Sequence, residues 1–495
     1  MGIIIRQSII SSFYTYIGTI IGAFSILFAF PLFLSPEELG AFRLIIELGA
    51  LLSGFGLLGI GQTIIRFYPF FREDNKSNGF LYLVLLLTVL GSVLVSILYF
   101  FFEEKLFDWF SRDKQYFSYI FIPIFLVAIF RIYQTVFENI AANHGKITTT
   151  NFFREILTRA ALLLLVFLYY KQWFTFIDFC IYVSLVFALN TILNYVFVIR
   201  PMKLDFKPNW AFINSKPELK KDMINFNVWL VLSSLSLLII NKIDFFMIGS
   251  SKGMVDTAVY SIGFYLAVLI EIPKRSMQQV SGPIISTHLK NEDYGSLQKL
   301  YKQSANNAFF SAVVVFLFIV ALMPLFFHLM PKGEIYGECL FVVYLIGSAK
   351  IVESWGVGAI TIISNSPYYF YGLLSAIINI ILAIYLNYVL IPVYGINGAA
   401  FATMVTIFVS ISIAVIIVRW KFKLSPVDLR QLISLGLLLV SLILFWNLNG
   451  FISNLWVESV LKVVWLLMLT FICIRFLKVS EELSSLLNKT LKYIR

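Results

Sequence analysis

Seven basic side chains, Arg43, Arg131, Arg159, Lys242, Lys274, Arg275 and Lys350, fall within runs of apolar residues. A cation at membrane depth is costly unless it faces a partner or water. Basic residues in such places point to non-covalent chemistry, the holding of an anion along an internal polar path. Carboxylates accompany them at helical spacing. Glu47 follows Arg43 by four residues, Glu155 precedes Arg159 by four, Glu271 precedes Lys274 and Arg275 by three and four, and Lys350 precedes Glu353 by three. Those spacings put opposite charges on one helix face.

A self-neutralised pair can also be purely structural. For Arg159 and Lys350, close enough to the ends of their apolar runs to extend their heads toward water, the structural and functional readings stand level. Around Glu271 the balance differs, because one carboxylate cannot fully compensate Lys274 and Arg275 together. Pro273 stands immediately before them; it removes a backbone hydrogen bond and predicts a kink or hinge. Lys242 and Asp244 are two residues apart and point in different directions, so one of them is expected to find its partner on another helix. Arg131 has only Glu138 two turns away and is the weaker candidate.

Nothing in the chain predicts covalent chemistry. His144, His288 and His328 lack metal-ligand spacing. No glycine-rich phosphate loop, nucleophile elbow or carboxylate-rich metal motif is present. Cys180, Cys339 and Cys473 are far apart in or beside apolar segments and read as small packed hydrophobes. The expectation is therefore no catalytic residue, no metal, no cofactor and no enzyme activity.

The elements that must position the cations are membrane helices. Hydrophobic residues make up 60% of the 495 positions and charged residues only 13%, with a mean hydropathy of +0.88. Soluble chains carry roughly 25% charged residues. Apolar runs of spanning length recur from residue 8 to residue 478, enough for about fourteen transmembrane helices. The reading is an all-α polytopic membrane protein: a six-helix lobe over 1–200, a linker over 201–223, a second six-helix lobe over 224–420, two further spans over 421–478, and an amphipathic tail over 479–495. The two lobes show faint internal similarity, which predicts pseudo-symmetric repeats. Alternate loops collect most of the Lys and Arg, richest at Arg200–Lys221, Arg419–Arg430 and Arg475–Arg495, so the positive-inside rule predicts both termini in the cytoplasm. The net charge of +11 reflects that orientation rather than nucleic-acid binding, for which no basic soluble face exists.

Certain segments resemble a known family. FLSPEELGAFRLI (Phe33 to Ile45), continuing through Gly54, Gly56, Gly59 and Gly61 to Arg66 and Pro69, is similar to the first helix pair of bacterial polysaccharide-repeat flippases in the multidrug/oligosaccharidyl-lipid/polysaccharide exporter superfamily. NKIDFFMIGS (Asn241 to Ser250), AVYSIG (Ala258 to Gly263) and IPVYGINGAAFAT (Ile391 to Thr403) resemble its later recurrent segments. The resemblance implies a two-lobed bundle in the bacterial inner membrane, with spans 1, 2, 7 and 8 around a cavity that opens alternately to either face. Its substrate would be an undecaprenyl-diphosphate-linked oligosaccharide, moved from inner to outer leaflet for O-antigen or capsule biosynthesis. Membrane lipids, a polysaccharide polymerase and glycosyltransferases would be its partners.

With that substrate, Arg43, Lys242, Lys274 and Arg275 are the expected diphosphate contacts. Glu47, Asp244 and Glu271 would orient them or couple ions, and Pro273 would be the hinge. The first span, residues 8–34, contains no acid of the kind cation-coupled drug exporters carry, and no arginine of the kind expected in lipid II flippases. The alternatives are a cation-coupled drug or metabolite exporter and, from another class, a membrane-embedded polysaccharide polymerase. The polymerase would need a sizeable outer loop, which the spacing of the apolar runs does not leave.

Overall fold

The computed structural model describes residues 2–71, 79–202, 204, 206–209, 217–448, 454–477 and 479. Among these residues there are helices and turns and no strand. In chain order the first elements are α1 (Gly2–Phe24), a π-helical turn (Ser25–Ala29), α2 (Phe30–Phe33), α3 (Pro36–Leu57), α4 (Ile60–Phe71), α5 (Phe80–Phe101), α6 (Glu103–Trp109), α7 (Lys114–Asn143) and α8 (Ile147–Asn151). A second π-helical turn (Phe152–Leu157) leads into α9 (Thr158–Tyr170). Then come α10 (Phe176–Asn194), α11 (Pro217–Ser251) and α12 (Met254–Leu269). The rest comprises α13 (Ile272–Lys290), α14 (Tyr294–Leu329), α15 (Gly333–Tyr336), α16 (Leu340–Trp355), α17 (Ala359–Ser364), α18 (Tyr369–Phe422), α19 (Arg430–Leu448) and α20 (Leu455–Arg475).

The chain divides into two compact units, one of Met1–Ser261 with Ile391–Gly395, the other of Ile262–Leu390 with Ile396–Arg495. In the first, α3 packs along α7 and against α11, and α10 covers the far side of α7. The start of α3 is written in its sequence. Ser35 caps it, accepting from the backbone N–H of Glu38 at 3.2 Å, while the Glu38 carboxylate accepts from the Ser35 N–H at 2.8 Å. Pro36, with no N–H to leave unsatisfied, takes the first position. Gly40, one turn in, lets α3 approach the start of α12 so closely that a Cβ there would lie 1.9 Å from the Met254 carbonyl oxygen.

In the second unit α14 is the central post, packed by α13, α16, α19 and α20. Asp293 caps it, accepting from the backbone N–H of Ser296 at 3.0 Å. Large apolar side chains are exposed along many helices, among them Ile97, Leu439 and Ile381, as expected where hydrocarbon rather than water is the solvent. The chain is a multi-pass membrane protein.

Ten helices of the described residues are long and apolar enough to cross a membrane, against about fourteen apolar runs in the sequence. Part of the difference comes from where helices merge and break. The 54 residues of α18 would extend about 80 Å at 1.5 Å per residue, far beyond a hydrocarbon core of about 30 Å. They hold two expected spans, separated at Gly395, whose φ of 58° and ψ of −136° only glycine adopts readily. Conversely, the apolar run over residues 254–282 is cut into α12 and α13, and the π turn at Phe152–Leu157 shortens α9 to 13 residues. The tail expected over 479–495 lies outside the described residues beyond residue 479, as do residues 203, 205 and 210–216 of the expected linker, whose last seven residues belong to α11.

Candidate functional site

Arg43 and Glu47 lie one turn apart on α3, and their side chains form an ion pair at 2.5 Å. Both are buried, at 7% and 5% exposure. Lys242 reaches the other carboxylate oxygen of Glu47 from α11, so two cations share one carboxylate. Phe245, one turn beyond on the same helix, presents its ring to both, 5.9 Å from the Arg43 guanidinium carbon and 6.0 Å from Lys242 Nζ. Arg43 Nε is buried and has no hydrogen-bond partner among the described residues. A guanidinium N–H left so inside a protein is a donor held ready for an acceptor.

Asp244 does not join this group. Fully buried, it accepts from the Tyr260 hydroxyl of α12. The two-residue step from Lys242 turns it to the opposite side of α11, so both charges of this helix find partners elsewhere. Arg131 on α7 lays its guanidinium over the Phe187 ring at 5.6 Å. Its expected partner Glu138 is engaged instead by Arg154 at 2.8 Å and by the Gln134 amide at 2.8 Å. Arg159 pairs with Glu155 at 2.8 Å and donates to the Gly18 carbonyl of α1, tying α1 to α9.

The second unit holds a larger network. Glu271 accepts from Lys350 at 2.9 Å and from Arg275 at 3.1 Å, with Lys274 3.6 Å away. Glu353 accepts from Lys350 at 2.8 Å and also from Lys274. Three cations thus meet two carboxylates. Lys350, at 3% exposure, bridges both acids and is the centre of the group rather than a head extended to water. Arg275 is the outward member, its side chain 60% exposed.

The helix break that positions these residues precedes Pro273. The backbone N–H groups of Ile270 and Glu271 turn back to the carbonyls of Ala267 and Val268, three residues behind, at 3.2 and 3.0 Å. Glu271 then occupies the cap position of α13, and Pro273 falls in its first turn. A proline there costs no backbone hydrogen bond, because the first N–H groups of a helix have no partner within it. Pro273 therefore starts a helix rather than kinking one.

Sequence reasoning missed two features. Glu353 appears there only as the local neighbour of Lys350, whereas it also holds Lys274, 79 positions earlier. Lys462 and Glu458 form an ion pair on α20 with side chains 2% and 7% exposed. Their i,i+4 spacing was the available signal.

The family model described as "Polysaccharide biosynthesis protein" matches residues 5–289. The chain belongs to this family. The match includes every residue named above for the first network and the break before α13. No curated protein sequence matches the chain. Among solved structures, "Lipid II flippase MurJ, inward closed conformation" superposes with a TM-score of 0.70 at 16% identity, over 95% of this chain and 99% of that one. A multidrug resistance MATE family transporter of the MOP superfamily, inward-facing, gives 0.63 at 16% identity, over 82% and 94%. A Vibrio cholerae MATE transporter gives 0.53 at 11% identity, over 86% and 98%. At these identities the likeness establishes the fold: this chain shares one helical architecture with those proteins.

Proposed function

We propose that this protein moves a polyprenyl-diphosphate-linked oligosaccharide from the inner to the outer leaflet of a bacterial inner membrane by alternating access. The observation that carries this reading is that, among the described residues, cations outnumber carboxylates in both groups, Arg275 being the exposed member. Arg43 and Lys242 share Glu47, and Lys274, Arg275 and Lys350 share Glu271 and Glu353. A purely structural group would be expected to balance its charges, since uncompensated charge in hydrocarbon is costly. A diphosphate would complete either group, accepting from Arg43 Nε in the one or from Lys274 and Arg275 in the other. Glu47 and Glu271 hold the cations in place, Asp244 fixes α11 against α12, and the turn before Pro273 is where α12 and α13 could change angle.

Membership of a polysaccharide biosynthesis family supports a sugar-bearing substrate. Moving two negative charges outward across an inside-negative membrane is favoured by roughly 4 to 5 kcal/mol per 100 mV. If those charges move uncompensated, the potential alone could drive the step, and ion coupling through Glu47, Asp244 or Glu271 would be optional. The glycosyltransferases that build the repeat and the polymerase that joins it would act before and after.

Deletion of the gene tests this reading. Lipid-linked repeats held on the inner leaflet are expected. Single repeats accumulating on the outer leaflet would indicate a polymerase. Loss of cationic-drug resistance with intact surface polysaccharide would indicate an exporter.

A further inference from the structure

A cavity of about 390 Å³ lies on the second unit between α12 and α14, and every residue lining it is apolar. Leu266 and Leu269 form one wall, and Val315, Ile319, Leu322 and Phe326 belong to the other. The α14 residues recur every three or four positions, a single stripe. From Val315 to Phe326 it runs about 16 Å at 1.5 Å per residue, roughly half of a 30 Å hydrocarbon core.

The chain leads from this groove to the network of three cations. Leu269 is the last residue of α12, two positions before Glu271. Behind the groove, Ile270 and Phe316 meet at Gly347 of α16, where an added Cβ would lie 3.1 Å from Ile270 Cδ1 and 2.7 Å from Phe316 Cε2. Lys350 is one turn beyond Gly347 on the same helix. An elongated apolar slot thus lies near a group in which cations outnumber carboxylates, and a ligand with an anionic head and a long hydrocarbon tail matches both.

We propose that the α12–α14 groove holds the first isoprenoid units of the lipid carrier while its diphosphate rests on Lys274, Arg275 and Lys350. This rests on the flippase reading and adds to it a site for the tail. Leu269 of the tail wall stands two positions before Glu271 of the head group, so the two are selected together. Ile319 and Leu322 touch no charged group of the network, and Leu322 is already 40% exposed, so a larger side chain there fills the groove without disturbing the core.

The full-length protein, reconstituted in vesicles, is given a polyprenyl-diphosphate oligosaccharide carrying a diazirine in its first isoprene units. After irradiation, labels are expected on Leu266, Leu269, Ile319 or Leu322. In parallel, the double variant Ile319→Trp, Leu322→Trp should translocate the long-chain substrate about tenfold more slowly, the loss expected for about two buried methylene groups. It should still move a water-soluble analogue with a two-isoprene tail at the unmodified rate. Wild-type protein that translocates the substrate but is labelled elsewhere overturns the groove and leaves the flippase reading intact. Equal labelling by diazirine phosphatidylglycerol shows a groove filled by bulk lipid and overturns it likewise. Should wild-type protein translocate no lipid-linked oligosaccharide of either tail length, the flippase reading itself fails.

Discussion

Glu47 and Lys242, 195 positions apart in the chain, form an ion pair inside the first unit, and Arg43 holds the other oxygen of the same carboxylate. The pair fixes α11 to α3 and leaves one positive charge in excess. Replacing the shared acid should therefore cost far more than replacing either base. Glu47→Gln is expected to destabilise the fold by about 3–5 kcal/mol, the cost of leaving buried charge without its partner. Thermal unfolding in detergent checks this, with Lys242→Met expected to lie closer to wild type because Arg43 still neutralises Glu47.

In the second unit the bases and acids are crossed, Lys350 bridging Glu271 and Glu353 while Lys274 sits between the same two. Residues sharing one network do not act additively. A double-mutant cycle of Lys350→Met with Glu271→Gln should show a coupling of about 1–3 kcal/mol in unfolding free energy. The cycle of Arg275→Gln with Glu353→Gln should show less, since Arg275 is exposed and bonds only Glu271 within the network.

Gly40 is required by contact rather than by backbone angle. With the Met254 carbonyl oxygen 1.9 Å from where a Cβ would stand, Gly40→Ala must push α3 and α12 apart. A loss of about 1–3 kcal/mol is expected, the usual range for overpacking a tight site. Gly282→Ala, where an added Cβ meets nothing within 4 Å, should be tolerated, and thermal midpoints of the two variants give the comparison.

Asp293 makes part of the stability depend on pH. The backbone N–H of Ser296 holds its carboxyl below the usual carboxylate range, helped by the Ser296 hydroxyl and by His288. A carboxyl whose folded value is depressed stabilises the fold above its unfolded value and stops doing so as pH falls through the folded one. The contribution should be complete at neutral pH and fade below about pH 4. Asp293→Asn keeps a capping oxygen but not the charge, so its acid limb in a pH series of thermal midpoints should be flatter than that of wild type.

Local spacing made much of this readable. Arg43 with Glu47, Glu155 with Arg159 and Lys350 with Glu353 form helical-face pairs that spacing alone predicts, and Ser35-Pro36-Glu37-Glu38 is a helix start in four letters. Charges two apart on α11 imply different partners, and the structure supplies Glu47 and Tyr260. What spacing does not carry is which carboxylate a long lysine chooses across helices. Lys274 has Glu271 one turn before it and still bonds Glu353. Pro273 marks a break in the run but does not tell a kink from a new helix start, and the two tight backbone turns at Ile270 and Glu271 that end α12 decide it. At Gly395 the helix assignment runs on past a point where the backbone reverses its angles.

The central claim is that the surplus cations receive an anionic lipid head. The direct test is the translocation rate of a fluorescent polyprenyl-diphosphate oligosaccharide in vesicles holding equal amounts of folded wild type or Lys274→Gln, Arg275→Gln protein. The rate should fall about tenfold or more, since a hydrogen bond to a charged group is worth about 1.5–3 kcal/mol. An undiminished rate in the double variant would contradict the account.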